Sequence, residues 1–105
     1  MKKILFLIAF SLLIIQNSFA GEKYQGKVIQ YGIVGTQFVF RLDLGNNLKG
    51  GYYITQNSTP NYNALVAFLI KAKDDQLTVL LETTGATGWC SYKEAWYAYD
   101  SAILN

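Results

Sequence analysis

The chain has 105 residues, of which 51% are hydrophobic, 15% aromatic and 15% charged. This length and composition predict a single small domain. The chain contains no histidine and only one cysteine. These two counts exclude histidine-based triads, histidine acid–base chemistry, an internal disulfide and a four-ligand zinc site.

The first twenty residues have the three-part layout of a secretory signal peptide. A positive start, Met1–Lys3, precedes the apolar run Ile4–Ile15, and Ser18–Ala20 ends in a small-x-small pattern. We therefore predict cleavage after Ala20, a mature domain from Gly21 to Asn105, and a periplasmic or secreted location. The alternative is a membrane anchor, but a spanning helix needs about 20 apolar residues and this run is shorter.

Charge argues against two classes of partner. Lys2 and Lys3 account for the whole formal excess of +2, so the mature domain is neutral. It also lacks a cluster of basic residues, which predicts no nucleic-acid partner and no insertion into a membrane after signal cleavage. A domain of this size has a marginal core, and its aromatic content favours self-association.

The first two strands are predicted to form a hairpin. Lys27–Val34 alternates apolar and polar residues, with Ile29, Tyr31 and Ile33 on one face. Gly35-Thr36 is the turn. The second strand, Gln37–Leu44, has the clearest period of two in the chain, and its apolar face consists of Phe38, Phe40, Leu42 and Leu44.

A turn, a third strand and a helix are predicted next. Gly45–Gly51 has turn composition, and Tyr52–Thr55 is rich in aromatic and β-branched residues. Thr59 is predicted to cap a helix that begins at Pro60 and ends near Lys73. Its apolar stripe is Tyr62, Leu65, Val66, Leu69 and Ala72, widened by Phe68 and Ile70.

The last part of the chain predicts two more strands. Leu77–Glu82 and Ala95–Leu104 are separated by Thr83–Glu94, the longest predicted connection. The resulting order is β-β-β-α-β-β. This mainly β order with one helix is that of an OB-fold, a small Greek-key barrel.

The chain resembles a group of small exported bacterial proteins with the fold of toxin B subunits, including the subtilase-cytotoxin and pertussis-like B subunits. The similar segments are Tyr53-Ile54, Asn61–Lys73, Leu77–Leu81 and Gly88–Cys90, with Glu94 following. The resemblance implies an OB-fold and an oligomer that binds a glycan or a partner subunit. The second cysteine usual in the group is missing here, so its disulfide is not expected.

Aromatic residues near the long connection suggest a binding site. Aromatic rings stack on sugar faces, and nearby hydroxyls and amides bind sugar hydroxyls. The candidate ligand-binding residues are Trp89, Tyr92, Trp96, Asn57, Ser58 and Thr59. The alternative is that these aromatic residues pack the barrel edge or a subunit interface.

No catalytic residue, metal site or cofactor is predicted. Cys90 has no histidine to activate it, and it is either unpaired or joined to another chain by a disulfide. The carboxylates show no pattern of a catalytic pair. We therefore predict a non-enzymatic binding protein that forms a homo-oligomer and takes a glycan or a protein partner. The alternative is a periplasmic monomer that binds or inhibits another protein.

Overall fold

The computed structural model describes residues 21–104. The predicted signal peptide lies outside these residues, as does Asn105. The strands are β1 (Lys23–Val34), β2 (Gln37–Gly45), β3 (Leu48–Thr55), β4 (Thr78–Thr87) and β5 (Lys93–Asp100). The single α-helix of this region is α1 (Tyr62–Asp75), and short 3₁₀ turns lie at Trp89–Ser91 and Ser101–Leu104. No helix within residues 21–104 has the length and apolar character needed to cross a membrane.

The five strands form a closed barrel in the order β1-β2-β3-β5-β4, with β4 pairing back onto β1. All neighbouring strands are antiparallel except β3 and β5, which run parallel. The helix follows β3 and precedes β4. The predicted fold is confirmed: the protein is a mainly β, OB-fold-like barrel with one helix.

The core forms where the predicted apolar faces meet. Phe38, Phe40 and Leu42 of β2 are at most 1% exposed, so the alternation predicted for this strand holds. From α1, Leu69 and Ala72 are buried. The other predicted stripe residues, and those that widen it, pack against the core while partly exposed: Tyr62, Leu65, Val66, Phe68 and Ile70. α1 therefore packs against the barrel through this stripe.

Two strands begin earlier than predicted. β1 starts at Lys23 rather than Lys27, because its first residues pair with β4 to close the barrel. β3 starts at Leu48, since the turn consists only of Asn46 and Asn47, both with positive φ. Two positive φ angles suit a tight hairpin turn whose twist matches the strands. The sequence pattern missed both starts because most of the extra residues are polar or glycine.

The helix begins two residues later than predicted. Asn61 occupies the N-cap position in the left-handed region and makes no side-chain capping bond. Thr59 does not cap the helix, because its Oγ1 accepts the backbone N–H of Thr55 at 2.9 Å. At the other end, Gln76 has positive φ and Leu77 N–H donates to the Ala72 carbonyl, the usual geometry of a Schellman end.

The long connection and the final strand are shorter than predicted. β4 continues to Thr87 and β5 begins at Lys93, with Thr87 opposite Lys93. Small and polar residues suggested a loop here, but ladder hydrogen bonds use the backbone and tolerate them. β5 ends at Asp100, whose Oδ1 accepts the backbone N–H of Ala102 at 3.0 Å. That bond starts the final 3₁₀ turn.

β1 contains a bulge near its middle. The pairing with β2 shifts between Val28 and Gln30, leaving Ile29 as the extra residue. Beyond the bulge, Tyr31 lies opposite Phe40 and Ile33 opposite Phe38, so both share the face of the core residues. They nevertheless remain 40% and 73% exposed, because this end of the hairpin extends past the packed core.

Candidate functional site

A groove of about 540 Å³ lies between α1 and β5. One wall comes from the helix and the residues before it, and the other from the middle of β5. The groove is lined by Pro60, Asn61, Ala64, Leu65, Phe68, Trp96, Tyr97, Ala98 and Tyr99. It is mostly apolar with three aromatic side chains on one strand, which makes it a candidate for a ligand site.

A bulge in β5 explains why adjacent aromatic residues both line the groove. Glu82 of β4 lies opposite Tyr97, whereas Thr83 lies opposite Ala95, so Trp96 is an extra residue in β5. Without a bulge, neighbouring side chains of a strand point to opposite faces. The extra residue resets that alternation. Ala95 stays buried while Trp96 is 50% exposed.

Tyr97 and Tyr99 form an ordered aromatic surface beside Trp96. Their ring centroids are 5.8 Å apart and the ring planes differ by only 19°. The Tyr97 hydroxyl donates to Glu82 Oε2 at 2.5 Å. This bond, together with the ring stacking, orients the Tyr97 side chain and places a carboxylate beside the aromatic wall. A carboxylate has several lone-pair sites, so Glu82 retains acceptor capacity for hydroxyl groups of a ligand.

The bond to Glu82 predicts a stability change at alkaline pH. It raises the pKa of Tyr97 to about 12, with smaller contributions from burial and the nearby charge. An unfolded chain loses this proton near pH 10, so stability should fall between about pH 10 and 12 as pH rises. We expect Tyr97→Phe to lose less stability than wild type between pH 8 and 11 in urea titrations.

The control for this experiment is Tyr99→Phe, which leaves the bond between Tyr97 and Glu82 in place. It should show the wild-type loss of stability. The pKa values of Tyr52 and Tyr53 are also raised, chiefly by burial, so part of the loss will persist in every variant. Equal losses in Tyr97→Phe and Tyr99→Phe would contradict the assignment.

Asn61 adds an amide to the opposite wall of the groove. Its left-handed backbone (φ 58) places it at the helix start, and its side chain makes no capping bond. An amide offers both donors and an acceptor. The groove thus has aromatic rings on β5, apolar side chains on α1, and polar groups at Asn61 and Tyr97, whose hydroxyl is bonded to Glu82.

Tyr92 lies elsewhere, on the outer face of the β1–β2–β3 sheet. It lines a separate cavity of about 170 Å³ together with Gln30, Arg41 and four other β1 and β2 residues. Its ring lies directly over Gly51, where a Cβ atom would come within 2.4 Å of a ring carbon. Tyr92 and Trp96, which were predicted to belong to one site, therefore line different cavities, since the shorter β4–β5 connection folds back over β3.

The predicted polar loop does not join either cavity. Asn57 and Ser58 are exposed in the turn after β3, and neither lines the groove or the Tyr92 cavity. Thr59 is only 8% exposed and its hydroxyl is used by the backbone of Thr55. Trp89 begins the 3₁₀ turn that follows β4. Of the five predicted ligand-binding residues other than Trp89, Trp96 alone lines the groove.

Cys90 is exposed and has no disulfide partner within residues 21–104. It lies in the 3₁₀ turn with a positive φ of 52°. The turn is closed by hydrogen bonds from Gly88 N–H to the Tyr92 carbonyl and from Ser91 N–H to the Gly88 carbonyl. A disulfide between two chains stays a prediction, and the exposed position of Cys90 is compatible with it.

A second cluster of polar groups joins the start of β1 to the start of β5. Lys93 Nζ lies 3.2 Å from Glu22 Oε2 and 4.8 Å from the centre of the Tyr24 ring. Tyr24 donates a hydrogen bond to Glu22. The hydrogen bond from Tyr24 lowers the pKa of Glu22, and the bond and charge of Lys93 lower it further. The pKa of Lys93 is raised, first by its bond to Tyr24 and then by its bond to Glu22. Both groups are charged at neutral pH, so this is an exposed structural ion pair.

The aromatic pair Tyr97 and Tyr99 was missed by the sequence analysis. The available signal was the run Trp96-Tyr97 followed by Tyr99, which a regular strand would divide between two faces.

Within the described part of the chain, no three His, Cys, Asp or Glu residues are grouped as metal ligands. No protein-family model, curated protein or solved structure matches the chain.

Proposed function

We propose that the protein is an exported, non-enzymatic binding protein that holds a carbohydrate in the groove between α1 and β5. The observation that carries this proposal is the bulge that presents Trp96 beside the ordered pair Tyr97 and Tyr99. A large aromatic residue left half exposed at a concave site offers a flat surface for the C–H face of a sugar ring. The sequence resemblance to toxin B subunits points in the same direction.

The groups around the groove favour a carbohydrate over a purely apolar ligand. Tyr97, whose hydroxyl is bonded to the Glu82 carboxylate, lies on one side and Asn61 on the other. Sugar hydroxyls are donors as well as acceptors, and carboxylate, phenol and amide groups together match both. A wholly apolar ligand would leave these polar groups without new partners, at a cost when water is removed.

The carbohydrate binds to a surface that is already formed in the free protein. The rings are held by strand pairing and by each other, so little side-chain order has to be gained when a ligand binds. A single groove of this size should bind a sugar weakly. Several copies presented together would gain avidity, as the resemblance to B subunits implies.

The test is a glycan panel followed by fluorescence titration. The chain has two tryptophans, Trp89 and Trp96, so Trp89→Phe leaves Trp96 as the only tryptophan. We expect at least one glycan to shift the emission of Trp96 in that variant. Trp96→Ala should weaken binding of the same glycan about tenfold or more, or about 1.4 kcal/mol, whereas Trp96→Phe should retain part of the affinity.

Leu48→Ala is the control for a general effect of removing an exposed apolar side chain. Leu48 is 62% exposed, is the first residue of β3, and does not line the groove. It should bind like wild type. The proposal is wrong if Trp96→Ala also binds like wild type, or if no glycan binds at millimolar concentration. In the latter case, recovery of a protein partner by the tagged chain would favour the partner-binding alternative.

A further inference from the structure

The second half of β1 has an open edge. β1 pairs with β4 only from Lys23 to Lys27, whereas its pairing with β2 continues to Val34. Within residues 21–104, no strand therefore pairs with the other edge of Val28–Val34. The backbone groups along such an edge are a template for a further strand.

This edge lacks the charged and proline residues that often protect sheet edges. The segment Val28–Val34 contains no charged residue and no proline, the residues that most often block strand addition. Four of its side chains are exposed by 37–73%: Ile29, Tyr31, Ile33 and Val34. The segment includes the bulge at Ile29, after which Gln30–Val34 pairs regularly with β2.

The sequence of the edge identifies its partner. Val28–Val34 reads Val-Ile-Gln-Tyr-Gly-Ile-Val, which is symmetric about Tyr31 except for Gln30 and Gly32. An antiparallel pair centred on Tyr31 brings Ile33 of each copy next to Ile29 of the other. Gln30 then faces Gly32, which has space beside it, since nothing lies within 4 Å of a Cβ built there. A surface that complements itself in this way suits a twofold dimer.

We infer that two copies of this chain pair antiparallel along the β1 edge, about a twofold axis at Tyr31. The pairing joins the two β1–β2 hairpins into one continuous sheet and places exposed apolar side chains of the two copies side by side. No like charges meet, because the paired segment is uncharged. The inference does not depend on the proposed carbohydrate site, which lies between α1 and β5 of a single chain.

The first test measures mass against protein concentration by sedimentation, with reductant present to exclude disulfides through Cys90. A chain that starts at Gly21 contains every strand of the barrel and is suitable. We expect a monomer–dimer equilibrium, and Ile33→Lys should raise the dissociation constant about tenfold or more by placing charges on the paired edge. Ile33 is 73% exposed, so the variant should fold normally.

Ile103→Lys is the matched control, because Ile103 is 72% exposed and lies in the 3₁₀ turn after β5. It should dimerise like wild type. A wild-type chain that stays monomeric to millimolar concentration overturns the inference, as does a larger ring that Ile33→Lys leaves intact. Carbohydrate binding by monomeric Ile33→Lys would show that the carbohydrate site does not depend on the dimer, so that failure of one proposal can be told from failure of the other.

The second test examines the register. In a Cys90→Ser background, Tyr31→Cys places one thiol per chain at the proposed axis. Paired cysteines need Cα atoms about 4.4–6.8 Å apart, which facing residues of neighbouring strands provide. We expect rapid oxidation to a covalent dimer, with little cross-linking of Ile103→Cys in the same background. Equal cross-linking of the two variants would overturn the register.

Discussion

Replacing Phe40 by alanine is expected to destabilise the barrel by about 3–5 kcal/mol, the usual range for a buried phenylalanine. Phe40 is 1% exposed. Its ring centre lies 6.1 Å from that of Phe38 and 5.7 Å from that of Tyr52. The substitution removes the middle of this row of rings and leaves a cavity that the strand pairs on both sides prevent from closing. Domains of this kind have about 5–15 kcal/mol of stability in total.

The measurement is urea unfolding followed by circular dichroism. Phe40→Leu is a milder change at the same position and should lose clearly less stability, so it tests the prediction even if Phe40→Ala does not fold. Ile103→Ala is the control on the surface and should change stability by less than about 0.5 kcal/mol. A Phe40→Ala variant as stable as Ile103→Ala would show that the inner face of β2 is not the core.

Replacing Gly26 by alanine is the second large effect that we expect. A Cβ atom at this position would lie 2.2 Å from the Asp43 carbonyl oxygen. The contact is with backbone, which cannot rotate away, so the strands must separate. Gly26 also pairs with Val79 of β4, at the point where β1 leaves β2 to close the barrel. We expect a loss of about 1–3 kcal/mol, the usual cost of overpacking.

Gly32→Ala provides a control with the same substitution in the same strand. A Cβ atom at Gly32 meets nothing within 4 Å, so this variant should match or slightly exceed wild-type stability. Thermal unfolding at low protein concentration is the measurement. For a domain of this size, each kcal/mol corresponds to roughly 4–8 °C in melting temperature. Equal melting temperatures for the two variants would argue against the close approach of β1 and β2 at Gly26.

The two bulges connect the fold to both proposals. The bulge at Trp96 changes which face of β5 its neighbours occupy, and so builds the aromatic wall of the groove. The bulge at Ile29 lies where β1 parts from β4 and its edge becomes open. In each strand, one extra residue decides which side chains face outward. The aromatic wall of the groove and the open edge of β1 therefore both depend on strand register.

The order of the elements was predictable from local patterns. The period of two over Phe38 to Leu44 identified β2 and its buried face, and the spacing of Leu65, Leu69 and Ala72 identified α1 and the face it buries. These patterns reflect which side chains avoid water. Since a strand or a helix repeats its geometry regularly, such a pattern specifies an element without reference to the rest of the chain.

The composition of the binding groove was decided only by the tertiary structure. Trp96 was predicted to group with Tyr92, but pairing between Thr87 and Lys93 shortens the connection and carries Tyr92 to the outer face of the sheet. The partners of Trp96 come instead from α1 and from the stacked Tyr97 and Tyr99. Backbone pairing depends little on side-chain type, so the extent of a strand and the position of a bulge leave only a weak trace in sequence. The sequence by itself determined the element order and the buried faces, whereas strand register decided which aromatic residues meet.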